Sequence, residues 1–432
     1  MVAPGAGTTE GTSAEERLVV VGQGYVGLPL AMEAVAAGFD VIGFDTDESR
    51  VKALAAGESY VEDVTAEALA AALGTGRYHP TASSADCAGF DVAVVTVPTP
   101  LREGVPDLSY IQVAAGMLAE HLRPGATVVL ESTTWPGTTE ELVAPLLEDQ
   151  SGLVAGSGFH LGYSPERIDP GNPTWGLVNT PKVVSGIDAG SLEAVQRFYD
   201  RIVERTVAVS GCKEAELTKL LENTFRHVNI ALVNELAMFA ADLGIDVWEA
   251  IDAASTKPFG YLRFTPGPGV GGHCLPIDPS YLSWRVRQRL GQSFRFVELA
   301  NDVNDHMPDY VVRRLTVALN GQRRSVNGSR ILLLGLAYKR NTSDARESPA
   351  LVVAERLLAL GADVRAVDPH VAMGQVDARI ARVELSGEEL AAADAVVVLV
   401  DHDAFDLEAV ADEGRYVLDT RRCIAGEHVE HL

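Results

Sequence analysis

The sequence predicts an α/β protein: two Rossmann-like doubly wound domains joined by a long central helix and a helical middle region. Three observations predict it. Short β-rich runs alternate with helical stretches in the first and last thirds of the chain. A glycine-rich turn, Gly22-Gln23-Gly24-Tyr25-Val26-Gly27, joins the first of these runs to a helix. Between the two α/β segments, Lys213 to Leu243 contains no Gly or Pro, so nothing in it breaks a helix.

The chain is long enough, at 432 residues, for two or three domains with cores of their own. The expected division is a disordered tail over 1–16, a dinucleotide-binding domain over 17–210, a helical domain over 211–325 and a second α/β domain over 326–432. Acids outnumber bases 60 to 35. That balance argues against a nucleic-acid backbone or an anionic membrane as partner, though not against a phosphorylated small ligand. No apolar run reaches the roughly 18 residues of a membrane span, and the polar N-terminus does not read as a secretory signal. The four cysteines lie far apart without a CxxC pair. No metal site or disulfide framework is expected, and a reducing cytoplasm fits.

The first strand, Leu18 to Val21, runs straight into the glycine turn, and a helix follows from Leu28 to Ala37. The second strand, Asp40 to Phe44, ends at Asp45, 18 residues beyond Gly27. Strand, glycine turn, helix and acid at these spacings form a dinucleotide site. Gly22, Gly24 and Gly27, with Tyr25 and Val26 between them, give the tight turn and bring a pyrophosphate to a helix N-terminus. Asp45 would accept the ribose hydroxyls and repel a 2′-phosphate, which favours NAD over NADP. Arg50, five residues on, is a second candidate contact and would complicate that preference if it reached a phosphate.

Strands at Asp91 to Val97 and Thr127 to Leu130 lead into loops that carry Thr99 and Thr133. Such loops lie where open α/β sheets bind ligands. Thr99 and Thr133 are candidate cofactor contacts, and Thr133 also a catalytic candidate. A further strand, Phe159 to Tyr163, leads into Ser164-Pro165-Glu166-Arg167, and Lys182 to Gly186 and Thr206 to Val209 read as the last strands of this domain.

The long helix places apolar residues at Leu217, Leu220, Leu221, Phe225, Val228, Leu232 and Leu236, a helical spacing. A helix of this length crosses between domains or builds a dimer core. Lys219 and Asn223 share a face, and Arg226 is three residues further. Beside an amide and an arginine, Lys219 would stabilise a developing oxyanion. After it comes Gly267-Pro268-Gly269-Val270-Gly271-Gly272-His273-Cys274-Leu275-Pro276-Ile277-Asp278, too rich in Gly and Pro for a regular element. Glycines there let a backbone pass close to a ligand. Cys274 and Asp278 then read as a nucleophile and a base. The same pattern also describes a tight loop with a buried cysteine. A helix over Phe296 to Leu319 is expected to be interrupted near Pro308. In the last third, strands at Arg330 to Leu334, Asp363 to Val367, Ala395 to Val400 and Tyr416 to Leu418 repeat the first half without its glycine turn. This half should bind a different nucleotide, or none.

These motifs, in this order, resemble the UDP-glucose/GDP-mannose dehydrogenase family of nucleotide-sugar 6-dehydrogenases. The likeness runs from Arg17 to Cys423 and rests on the glycine turn, Glu131-Ser132-Thr133 with Pro136-Gly137-Thr138-Thr139, Ser164-Pro165-Glu166, Lys219 with Asn223, Gly271-Gly272-His273-Cys274 with Asp278, the run from Tyr338 to Ser348, and Asp419-Thr420-Arg421. It implies a four-electron oxidation of a sugar carbon 6 from alcohol to acid, with two NAD reduced. Cys274 would pass through a thiohemiacetal and a thioester. Lys219 and Asn223 would hold the oxyanion, and Asp278 with Glu166 would order or deprotonate the attacking water. Lys339 and Arg421 match the family's nucleotide-sugar contacts and Arg346 its NAD contact. Gly271, Arg167 and Arg226 join the substrate-binding set, and the central helix is the implied homodimer interface.

His273, Pro276, Ile277 and Arg167 resemble the branch that acts on UDP-N-acetylhexosamines. UDP-glucose and dTDP-glucose stay open as substrates. Two other readings also stay open: a two-electron hydroxyacid-type dehydrogenase, which would not need Cys274, and a non-catalytic nucleotide-sugar-binding protein.

Overall fold

The computed structural model describes residues 16–432 apart from 103, 170, 171, 173, 273, 274 and 276. The expected tail, all but its last residue, lies outside that range, as does Cys274. The chain forms two compact units, Met1–Thr99 with Asp107–Lys219 and Pro100–Pro106 with Leu220–Leu432.

The first unit is built on a parallel sheet. Its six strands run, across the sheet, Tyr78–Thr81, Asp40–Phe44, Arg17–Val21, Val92–Val95, Thr127–Leu130 and His160–Tyr163. The chain thus starts in the middle, builds to one edge, then returns to build to the other. The reversal falls between Arg17–Val21 and Val92–Val95, which pair Leu18 to Val92 through Val21 to Val95. Open sheets of this kind bind ligands at that crevice. Leu18, Val19 and Val20 are consecutive and wholly buried, because helices cover both faces of the sheet. The pieces expected near Lys182 and Thr206 form a separate two-stranded sheet, Lys182–Val184 with Thr206–Ala208.

The second unit repeats the order on Ala381–Arg382, Asp363–Val367, Arg330–Leu334, Ala395–Val398, Val417–Asp419 and Val429–His431. The period-two rule is visible in its cores. Ile331 and Leu333 join one apolar cluster, while Leu332 and Leu334 join another.

The central helix is Cys212–Leu243, 32 residues long and about 48 Å at 1.5 Å per residue. Gly244, at φ +69°, follows it, and Asp246 caps the next helix by accepting from Trp248 N and Glu249 N. Of the apolar series expected along the central helix, only Leu220 is fully buried; Leu221 is 63% exposed and Leu232 52%. The buried face instead carries Glu216, Lys219, Asn223, Thr224, His227 and Asn234.

The expected interruption at Pro308 is absent: Arg295–Gly321 is one helix with Pro308 inside it. Proline cannot donate to the carbonyl four residues back. That carbonyl, of Asn304, lies against Gly269 instead.

Candidate functional site

In the first unit the glycine turn shows three different requirements. Gly22 has φ +96°, and a Cβ on it would meet Thr96 O at 2.9 Å. A Cβ on Gly27 would lie 1.8 Å from Gly22 O, so the helix Gly27–Ala36 seats directly on the turn. Around Gly24 there is open space, with nothing within 4 Å of a Cβ position. The helix begins at Val26 without a side-chain cap and without an acid in its first turn. An open backbone before an uncapped, acid-free helix N-terminus fits a pyrophosphate.

Hydroxyls tie together the three loops that leave the sheet here. Thr96 Oγ1 donates to Val21 O and Gly22 O, each at 2.9 Å. Ser132 Oγ donates to Val97 O at 2.8 Å. Thr99 is buried and Thr133 half-buried on the tied loops.

Asp45 is buried at the end of its strand. Its carboxylate accepts from Gln23 N and from Asp47 N, each at 2.9 Å. Arg50 stands 3.6 Å from both Asp45 and Asp47 and lies 5.7 Å from the Tyr60 ring centroid. Sequence reading missed the frame beneath. Gln23 is fully buried, its Oε1 accepts from Tyr78 OH at 2.7 Å, and its carbonyl accepts from Tyr60 OH at 2.5 Å.

Glu166 and Lys219 meet in the same unit. Lys219 Nζ donates to Glu166 O at 2.5 Å. Both side chains are buried. Burial pushes the Glu166 carboxyl up, against the Lys219 ammonium and the N–H groups of Ile168 and Arg167. Arg167 is half-buried and donates to Pro181 O at 2.6 Å. One turn earlier on the central helix, Glu216 accepts from Gly137 N at 2.5 Å, Thr139 N at 2.9 Å and Thr139 Oγ1 at 2.8 Å. It thereby holds the Pro136-to-Thr139 loop, and burial pushes its carboxyl up to about 7.

In the second unit Asn223 Nδ2 donates to Asp278 Oδ2 at 2.6 Å, both side chains buried. Asp278 opens the helix Asp278–Leu290, where the positive end of the dipole favours a carboxylate. Arg226 is exposed and does not share the buried face of Asn223.

The glycine loop is close to protein rather than open. A Cβ on Gly271 would lie 2.7 Å from Glu347 O, and one on Gly272, at φ +84°, 2.7 Å from the Tyr338 ring. Gly272 N donates to Arg346 O at 3.2 Å. The start of the loop is pinned by Asn234 Oδ1, which accepts from Gly267 N at 2.9 Å. Asn234 in turn donates to Asn304 Oδ1 at 2.9 Å.

Arg421 approaches the same loop, 3.0 Å from a Cβ position on Gly267, and pairs with Asp401 at 3.3 Å. Lys339 is half-buried, its carbonyl accepting from Thr342 Oγ1. Arg346 is exposed and forms a two-pronged pair with Asp344.

Asp368 ends the second strand of this unit, as Asp45 does in the first. It is closed off by N–H groups of Leu336, Ala337, His370 and Val371 and by buried His402 at 3.1 Å. Burial opposes ionisation there, yet the His402 bond and the N–H groups hold the carboxyl well below the usual carboxylate range. This half thus has no counterpart of the Gly22-to-Gly27 turn, and its strand-end acid is already engaged by described donors.

Comparison with known proteins gives a consistent pattern. Sequence models of the UDP-glucose/GDP-mannose dehydrogenase family match over residues 16–203 (NAD binding domain), 213–306 (central domain) and 332–426 (UDP binding domain). The UDP-N-acetyl-D-mannosamine dehydrogenase of Pyrococcus horikoshii is 36% identical over 414 residues, 94% of this chain and 96% of that one. The UDP-N-acetyl-D-glucosamine 6-dehydrogenase of Pseudomonas aeruginosa is 36% identical over 391 residues, 90% and 91% of the two chains. Among solved structures, a UDP-glucose dehydrogenase from Pyrobaculum islandicum superposes with a TM-score of 0.87 at 29% identity, covering 98% of each chain.

Proposed function

The chain belongs to the UDP-glucose/GDP-mannose dehydrogenase family and is an NAD-dependent nucleotide-sugar dehydrogenase, and from that premise we propose that its substrate is a UDP-linked N-acetylhexosamine. Relatives at 36% identity over at least nine-tenths of the chain act on sugars of that class. Arg167, a feature of that branch, supports the choice.

The reaction takes the carbon-6 alcohol, one water and two NAD to a carboxylate, two NADH and three protons. Bound NAD supplies the hydride acceptor for each oxidation. Cys274 adds as a thiolate to the intermediate aldehyde, because an aldehyde is a poor hydride donor until it is made tetrahedral. The thiohemiacetal loses hydride and becomes a thioester. Lys219 and Asn223 hold the oxyanion at each tetrahedral stage. Glu166 and Asp278 order the water that attacks the thioester and take its proton. Thr133 stands beside the reacting carbon. Gly22, Gly24, Tyr25, Val26, Gly27, Asp45, Thr99 and Arg346 hold the dinucleotide, and Lys339 and Arg421 the nucleotide sugar.

The observation that supports this reading is that each candidate oxyanion holder lies beside a candidate water base: Lys219 Nζ donates to the backbone carbonyl of Glu166, and Asn223 Nδ2 to the carboxylate of Asp278. A hydroxyacid-type enzyme has no need of the two carboxylates or of Cys274. The protein is proposed to work as a homodimer in the cytoplasm. No described helix is long and apolar enough to cross a membrane.

The test is NADH formed per sugar consumed, run to completion on UDP-, dTDP- and GDP-linked hexoses and N-acetylhexosamines. Two NADH on a UDP-N-acetylhexosamine is the expected result. One NADH would return Cys274 to the role of a loop cysteine.

A further inference from the structure

Behind Glu166 lies a buried ionic cluster that the roles above leave unused. Lys182, 2% exposed, opens the strand Lys182–Val184 and makes an ion pair with Glu131, itself 1% exposed. Lys182 Nζ also donates to Pro165 O at 3.2 Å and stands 3.8 Å from Glu166 Oε2. The other Glu131 oxygen accepts from Tyr199 OH at 3.1 Å, and the Lys182 ammonium lies 5.1 Å from the Tyr199 ring centroid. Two lysines thus hold consecutive carbonyls of one loop: Lys182 takes Pro165 and Lys219 takes Glu166. Glu166 Oε1 accepts from Ile168 N, while no described donor reaches buried Glu166 Oε2 within hydrogen-bond distance. A small cavity of about 10 Å³ is lined by Glu166, Thr180 and Lys182 among others, room for about one water molecule.

We propose that Lys182 is a positioning residue for Glu166: its ammonium, shared between Glu131 and Glu166, keeps the Glu166 carboxylate ionised to accept the proton of the attacking water. This rests on the thioester reading above. In the step it serves, water oxygen bonds to the thioester carbon, one water proton passes to Glu166, and the carbon–sulfur bond breaks to release the Cys274 thiolate and the acid.

The argument is a balance of buried charge. The charged groups around Glu166 are Lys182, Lys219 and Arg167, with Glu131, Tyr163 and Tyr199 beyond them. Glu131 and Glu166 face the ammoniums of Lys182 and Lys219; burial and the Lys219 charge push the Lys182 ammonium well down, its ion pair with Glu131 opposes that loss, and Arg167 turns its guanidinium to Pro181 O. Removing Lys182 takes away the cation nearest the free oxygen of Glu166 and shared with Glu131, which favours a proton on one of the two buried carboxyls. Glu131 keeps the Tyr199 hydroxyl, whereas Glu166 Oε2 has no donor among the described residues. The proton therefore settles on Glu166.

The experiment compares the pH profile of kcat in wild type, Lys182→Met and Lys182→Arg, with Glu166→Gln marking the limb that Glu166 governs. The acid limb should move up by about one pH unit or more in Lys182→Met and return toward the wild-type position in Lys182→Arg. At neutral pH, Lys182→Met should also show a burst of NADH followed by turnover slowed at least about tenfold, as thioester accumulates. NAD affinity, read by titration, should be unchanged, which separates this effect from misfolding. If Lys182→Met fails to fold, Lys182→Gln, neutral and hydrogen-bonding, carries the same expectation. An acid limb in the wild-type place, with or without a uniform drop in rate, would overturn the proposal. Absence of four-electron turnover in the wild type would overturn the thioester reading itself.

Discussion

Gly24 and Gly27 stand three residues apart in one motif and answer to opposite constraints. A methyl at Gly27 would sit 1.8 Å from Gly22 O, inside the protein. One at Gly24 meets no protein atom within 4 Å and would project where a pyrophosphate approaches. Gly27→Ala should therefore destabilise the first unit by about 1–3 kcal/mol through overpacking, seen as a lower denaturation midpoint. Gly24→Ala should leave that midpoint within about 0.5 kcal/mol while weakening NAD binding at least tenfold, about 1.4 kcal/mol. Equal loss of stability in the two would show that Gly24 is a packing residue. Asp45 gives a second test at the same scale. Asp45→Asn keeps an acceptor for Gln23 N but removes the charge that repels a 2′-phosphate. It also removes the charge that engages Arg50 at 3.6 Å. The ratio of kcat/KM for NADP over NAD should rise at least tenfold, about 1.4 kcal/mol. An unchanged ratio would mean that Arg50 stays committed to Asp47.

Among the elements, the central helix holds the Pro136-to-Thr139 loop as well as carrying Lys219 and Asn223. Glu216 meets three donors from the Pro136-to-Thr139 loop, yet burial lifts its carboxyl to about 7. In the unfolded chain a glutamate titrates near 4.3. Between about pH 4.3 and 7 the folded chain holds a proton that the unfolded chain has lost, so stability falls as pH rises through that window. Thermal melts from pH 5 to 8 should show this decline. Glu216→Gln should remove the slope and, by setting an amide N–H₂ against Gly137 N–H, lower stability by about 1–3 kcal/mol. A slope that persists in the variant would assign it to another group.

None of this was legible beforehand. Glu216 is one acid among several on a long helix, and its partners come from a loop 77 to 79 residues away. What could be read was local: strand, glycine turn, helix and acid near Asp45, and the alternation that yields both sheets. Lys182 did offer a signal, since a lysine opening an apolar run after Pro181 has to find a buried carboxylate. The helix through Pro308 was misread because a proline removes one ladder bond only, and a helix of 27 residues continues through the gap.

For the whole molecule, the apolar residues that fail to enter the core set the problem. Leu217, Leu221, Phe225, Leu232, Leu236, Phe239 and Leu243 are between 43% and 73% exposed along one helix. They fall three, four or seven residues apart, so they line one stripe. An exposed stripe of this size on a single chain has the character of an interface, and the proposed occupant is a second copy packed about a two-fold axis. Each copy carries a formal charge of -25, so association brings like charges together while burying leucine and phenylalanine. Salt screens the first effect, with a Debye length near 10 Å at 0.1 M, and leaves the second largely intact. The dimer should therefore tighten as salt rises from about 20 to 200 mM, the reverse of an interface held by opposite charges. Sedimentation should give twice the mass of the 46.0 kDa chain, falling to the single-chain mass in Leu221→Glu combined with Phe239→Glu. A single-chain mass for the wild type at micromolar concentration and 200 mM salt would leave the stripe to another partner, and dissociation on adding salt would place the contact on a charged face instead.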